Sequence, residues 1–85
     1  MFVHATGSIS DIDKLGPYWD EENRVLAELY AEGVVKSLFR LTDRPAVFMI
    51  VEADDVEDAR SQVGRLPFVS SGLLLLEFEA VEKLL

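Results

Sequence analysis

Apolar residues recur with two different periods along this chain, and the switches between them mark its elements. Phe2 to Ser8 is short and carries β-branched and aromatic residues, which predicts a strand. Ser8 to Gly16 (SISDIDKLG) is turn chemistry and predicts a loop. Pro17 suits a first helical position, Asp20 and Glu21 suit the positive end of a helix dipole, and Gly33 is a natural stop. A first helix is therefore predicted over about Pro17 to Glu32. Val34 to Leu41 and Ala46 to Ala53 read as strands joined by the turn Thr42-Asp43-Arg44-Pro45, which makes a hairpin. Asp54 with Glu57 three residues on has the form of a capping box, after which Val56, Ala59, Val63 and Leu66 share one helical face. Pro67 ends that helix, and Leu73 to Val81 is the last strand. No internal repeat, low-complexity tract or linker interrupts the pattern, so residues 1–85 read as one domain.

The order β-α-β-β-α-β with right-handed crossovers predicts an α+β, ferredoxin-like sandwich. Two helices cover one face of a four-stranded antiparallel sheet, and the other face stays open. In the third strand VFMIV is apolar on both faces, and in the fourth LLLLEF nearly so, whereas a half-solvated sheet alternates with polar residues. Something must cover that second face. The tail Lys83-Leu84-Leu85 is too short, which leaves a second copy of the chain as the simplest cover. Length points the same way. An 85-residue domain is marginal alone, and with no cysteines it has neither disulfides nor thiolate metal sites to help it, so a homodimer or higher homo-oligomer is expected.

Charge narrows the partners. A net charge of −8 repels phosphate backbones and anionic headgroups, which argues against nucleic acid and membrane surfaces. No basic segment followed by an apolar stretch marks a signal peptide, and no apolar run is long enough to span a bilayer. A cytoplasmic protein is the default expectation.

Helix one carries the sharpest chemical signal. At 3.6 residues per turn, Tyr18, Trp19, Val25, Leu26 and Leu29 form one stripe, with Asp20, Glu21, Arg24, Glu28 and Glu32 opposite. Glu22 projects from the middle of the apolar stripe. A carboxylate there is costly unless it is paired, and otherwise its pKa rises, as a general acid or base near neutral pH requires. Two plainer readings stand beside that one: a structural acid held by Lys36 or Arg40, and a frayed first turn that lets Glu22 reach water. His4, the only histidine, shares a strand face with Phe2 and Thr6. It reads as a packing residue or as a proton shuttle or hydrogen-bond donor to a substrate. With no second histidine and no cysteine, a zinc site is not expected. Arg40 shares one face of the second strand with Lys36, while Phe39 and Ser37 share the other. Arg40 either holds a substrate carboxylate or pairs with one of the many acids at the sheet edge. Ser70 and Ser71 sit in no G-x-S-x-G context, and Gly64 and Gly72 belong to no phosphate loop.

Laid out in this way, the chain resembles the muconolactone delta-isomerase family. The opening MFVHA is similar to the family's first strand with a histidine at its fourth position. From Glu22 to Pro67, the stretch ENRVLAELYAEGVVKSLFRL, the hairpin, and VEADDVEDARSQVGRLP follow the family layout. Glu22, Glu32-Gly33, Arg40 after an aromatic residue, and Leu66-Pro67 match. The departures are Phe39 where the family usually has Trp, Phe68-Val69-Ser70-Ser71 after Leu66-Pro67, and Val47 and Met49 in place of polar residues in the third strand. The resemblance implies a dimeric α+β barrel with a more apolar pocket.

Three functions follow for comparison. The first is a cofactor-independent isomerase or cyclase acting on a small apolar or carbonyl-bearing compound. Glu22 would move the proton, His4 or Arg40 would steady the oxyanion or a carboxylate, and Tyr18, Trp19, Phe39 and Phe48 would shape the walls. The second keeps the fold and makes it a cofactor-free or haem-linked monooxygenase of the dimeric-barrel type. The third is a small-ligand-binding regulatory module of the ACT or Lrp type.

Overall fold

The computed structural model describes residues 1–85. Its strands are β1 (Phe2–Ile9), β2 (Val35–Arg40), β3 (Ala46–Glu52) and β4 (Leu74–Val81). Its helices are α1 (Trp19–Ala31), α2 (Val56–Val63) and a short α3 (Pro67–Ser70). The four strands form one antiparallel sheet in the order β2-β3-β1-β4, the ferredoxin-like α+β arrangement that the order of elements predicts.

Boundaries shift where local chemistry is richer than the pattern. Gly16–Tyr18 winds as a 3-10 turn, so α1 starts at Trp19 and not at Pro17. The cap of α2 is one residue later than the sequence suggests. Asp55 accepts a hydrogen bond from the Asp58 amide at 2.7 Å, and Asp58 accepts one from the Asp54 amide at 2.9 Å. The second helix ends earlier than predicted: α2 stops at Val63 with Gly64 as its C-cap, Leu66 is extended and outside it, and Pro67 begins a separate helix. It occupies the first turn of α3, where its missing N–H costs nothing.

Side-chain parity in the sheet decides what faces the helices. Val3 and Ala5 of β1, Met49 and Val51 of β3, and Leu29, Ala59, Val63 and Leu66 from the helical side pack into one buried cluster. A smaller cluster of Leu15, Phe68, Leu73 and Leu74 closes the end near α3. Gly7 of β1 is required by this packing, because a Cβ there would lie 1.8 Å from the Leu75 carbonyl oxygen. Arg65 ties the helices together with two bonds of 2.9 Å to the Glu32 carboxylate, which its guanidinium holds below the usual carboxylate pKa.

The open face is less apolar than the sequence suggests. Through its register with β1, β4 sends Leu74, Leu76 and Phe78 towards the helices, and Leu75, Glu77, Glu79 and Val81 outward. Within the strand, from Leu74 on, the leucine run therefore alternates. Apolar side chains on the open face concentrate on β2 and β3, where Phe39 stacks on Phe48 at 5.0 Å. The C-terminal Leu84 and Leu85 are fully exposed and cover none of it.

Candidate active site

Glu22 lies one turn into α1, between the buried Val25 and Leu29 on one side and α3 on the other. It is the only charged side chain in the buried interior, 6% exposed. The sequence places it there because positions 22, 25 and 29 share one helical face. Its local partner is α3. The first amides of a helix have no intrahelical acceptor, and Leu66, at the N-cap, has no side chain able to cap them. Glu22 supplies the acceptor. Phe68 N–H donates to Glu22 Oε1 at 2.9 Å, within a buried setting.

No cation compensates Glu22. It forms no salt bridge, and Lys36 is instead 3.8 Å from Glu52. Burial pushes the Glu22 carboxyl above its ordinary value of 4.5, and the Phe68 hydrogen bond opposes this only in part. Oε1 is occupied by Phe68. Oε2 has no protein hydrogen bond, yet the fold leaves no completely buried side-chain oxygen without a partner, so Oε2 keeps accessible surface.

Glu22 is part of the wall of a pocket of about 440 Å³ between α1, α3 and the β2–β3 end of the sheet. Its wall is mostly apolar, including Ile12, Leu15, Leu26, Met49 and Leu66. Trp19 stands on the rim, 48% exposed, with its ring edge-on to Phe68 at 5.0 Å. Glu22 is the only acid in the wall, Arg40 the only cation, and Asn23 the only other polar side chain.

A β-bulge in β2 puts Arg40 there. Val35 pairs with Val51, but Ser37 pairs with the very next residue of β3, Ile50, so the alternation slips at Lys36. Lys36 and Ser37 line the open face, while Leu38 and Arg40 line the pocket. The pairing of Arg40 with Lys36 expected from strict alternation is therefore corrected.

The candidate residues divide into two groups. Glu22, Arg40 and Trp19 meet at the pocket. His4, Phe39 and Phe48 lie across the sheet from it, with the His4 ring 5.8 Å from Phe48 and His4 Nδ1 3.8 Å from Glu79 Oε1. Tyr18 closes the 3-10 turn at the surface, outside the pocket wall. A wider hollow of about 550 Å³ on the open face, near Phe2, Ile50 and Val81, contains the Lys36–Glu52 pair and no buried acid. No group of three His, Cys, Asp or Glu side chains is arranged to hold a metal ion.

Sequence reasoning missed Phe68 as the partner of Glu22. The signal is present: Leu66-Pro67 starts a helix with no polar cap, so its second amide needs an acceptor from elsewhere.

No protein-family model matches the chain, and no curated protein matches it in sequence. Solved structures do. Muconolactone isomerase superposes with a TM-score of 0.77 at 18% identity, over 98% of this chain and 90% of that one. The fold is that of muconolactone isomerase. A second match is 5-chloro-2-hydroxyhydroquinone dehydrochlorinase from Burkholderia phenoliruptrix AC1100, solved in complex with 2,5-dihydroxybenzoquinone. Its TM-score is 0.65 at 19% identity, over 94% of this chain and 93% of that one. No helix is long and apolar enough to cross a membrane.

Proposed function

We propose that this chain is a cofactor-independent isomerase or cyclase that moves a proton next to a carbonyl of a small, largely apolar molecule. The observation that carries the reading is the carboxylate of Glu22, buried without a salt bridge, with one oxygen unbonded and the residue in the wall of an apolar pocket. Burial raises its basicity, as proton abstraction near neutral pH requires. Glu22 Oε2 takes a proton from the carbon beside the carbonyl, and the electron pair moves onto the carbonyl oxygen. Arg40 faces the same pocket and offsets the developing negative charge. Glu22 then returns the proton to another carbon of the conjugated system, so that no atom is gained or lost. The pocket favours Arg40 over His4 for the charge-stabilising role, because His4 is on the far side of the sheet. The likeness to muconolactone isomerase, and to a dehydrochlorinase that binds a dihydroxyquinone, supports small carbonyl compounds as the substrate class.

The working unit in this proposal is a homo-oligomer. Phe39, Phe48, Ile50 and Phe2 share the open sheet face, and a second copy presenting the same face covers them.

Deuterium exchange tests the chemistry. Muconolactone, the apolar bicyclic ketone 2-tetralone and the bicyclic keto acid 2-tetralone-6-carboxylate are incubated with the protein in deuterated buffer, and exchange beside the carbonyl is followed by NMR. The wild-type chain accelerates exchange over buffer, and Glu22→Gln reduces the acceleration by at least about 100-fold, the usual contribution of a positioned general base. A folded Glu22→Gln variant with wild-type exchange overturns the assignment, as does a wild-type chain that accelerates none of the three.

A further inference from the structure

Arg40 is anomalous in this chain. There are 16 acidic residues and only eight Lys and Arg residues, so an acid is seldom far from a cation. Six of the eight (Lys14, Arg24, Lys36, Arg44, Arg60 and Arg65) lie within 4.0 Å of a carboxylate. The exceptions are Lys83, beyond the last strand, and Arg40. The bulge in β2 sets Arg40, still solvent-exposed, on the helix side of the sheet, at a pocket wall whose one acid, Glu22, it does not contact within salt-bridge distance. The guanidinium therefore keeps its planar fork of donors free, in the geometry that recognises a carboxylate bidentately.

The rest of the wall limits what such an anion can be attached to. Apart from Glu22, Arg40 and Asn23 it is apolar, and about 440 Å³ falls within the range of pockets that enclose drug-sized ligands. A single-ring acid would leave much of the apolar wall uncovered. A second negative charge would face either Glu22 or hydrocarbon, with no other cation to receive it.

We infer that the ligand of this pocket is an apolar mono-anion of two- or three-ring size, with its one carboxylate or equivalent anionic group held by Arg40. The inference rests on taking this pocket as the working site. It adds to the proposed chemistry a rule of selection: monoanions over their neutral isosteres, over dianions and over single-ring acids. The −8 net charge repels anions in general, so such a preference has to arise locally.

Trp19 is the only tryptophan and stands on the pocket rim, so its fluorescence reports occupancy directly. Four probes are titrated against the full chain: 2-naphthoate, 2-naphthamide, benzoate and 2,6-naphthalenedicarboxylate. For the wild-type chain, 2-naphthoate binds at least about tenfold tighter than 2-naphthamide, the scale of a hydrogen bond to a charged group. It also outcompetes benzoate and the dianion. In Arg40→Gln the preference for naphthoate over naphthamide disappears while naphthamide binding is retained, and Arg40→Lys restores part of it. Retained naphthamide binding shows that the pocket has not collapsed. Equal binding of naphthoate and naphthamide to the wild-type chain overturns the inference. So does a preference that survives Arg40→Gln, benzoate binding as tightly as naphthoate, or the absence of binding by every probe. The two readouts in the wild-type chain separate this from the proposed function: the naphthoate preference stands even if no proton exchange is ever found, whereas absence of the preference with exchange present sinks only the ligand class.

Discussion

Replacing Glu22 by Gln and by Ala separates its charge from its hydrogen bond. Gln keeps an oxygen acceptor for Phe68 N–H and removes the ionisable group, while Ala removes both. Neither variant titrates at this position, so the difference between them is independent of pH. It equals the cost of leaving the Phe68 amide buried without a partner, about 1–3 kcal/mol, with some lost packing in addition. For a domain of this size each kcal/mol moves Tm by about 4–8 °C. The comparison of wild type with Gln does depend on pH, and its sign follows from the raised pKa of Glu22. Below 4.5, the ordinary value, Glu22 is protonated in both folded and unfolded chains, and the two proteins are nearly equally stable. Above it, the unfolded chain releases the proton while the folded chain still holds it. Wild-type stability therefore falls with rising pH until the raised folded pKa is passed. Gln escapes this loss and becomes the more stable protein at pH 7. Thermal and urea melts of the three proteins at low and neutral pH measure both effects. If Gln loses as much stability as Ala at neutral pH, or if the gap between wild type and Gln does not change with pH, then Glu22 is a compensated structural ion and the reasoning fails.

Other outcomes follow from the same structure. Gly7→Ala forces a Cβ to within 1.8 Å of the Leu75 carbonyl oxygen, so circular dichroism should show no cooperative melt; a melt near the wild-type midpoint would mean that β1 and β4 do not pack as described. Asp55→Ala removes the cap of α2 and should cost about 1 kcal/mol by denaturant titration, and an unchanged midpoint would show that Asp58 and Asp54 cap the helix without it. Phe39→Glu places a charge on the apolar half of the open face, where Phe39 is 53% exposed and stacked on Phe48. Light scattering should find an oligomeric wild type and a folded monomeric variant, and a wild-type chain that is monomeric at micromolar concentration removes the case for self-association.

The fold was readable because every element carries its own punctuation. Pro17 and Gly33 bracket α1, the Thr42–Pro45 turn makes the hairpin, and two periods of hydrophobicity separate helices from strands. Glu22 was readable for a related reason, since a single acid on an otherwise apolar helical stripe has few places to go. Arg40 was not, because a bulge is a tertiary event: nothing in the residues VKSLFR states that Val35 and Ser37 will oppose consecutive residues of β3. The sequence grouped His4 correctly with Phe2 and Thr6, but strand parity alone does not say which face the helices cover. Val3 and Ala5, being small, accept the helices, and His4 is thereby turned away from Glu22. The apolar look of β4 arose from a run of leucines whose alternation emerges only once Glu77 and Glu79 are seen to continue the outward row of Leu75.

The claim beneath all of this is that an acid without a positive partner faces a ligand pocket. Carbon-13 NMR of the Glu22 side-chain carboxyl, titrated across pH with and without 2-naphthoate, addresses it directly. The account predicts a midpoint above 4.5 and a resonance that moves when the pocket is filled. A midpoint at or below 4.5, or a resonance indifferent to the ligand, would contradict it.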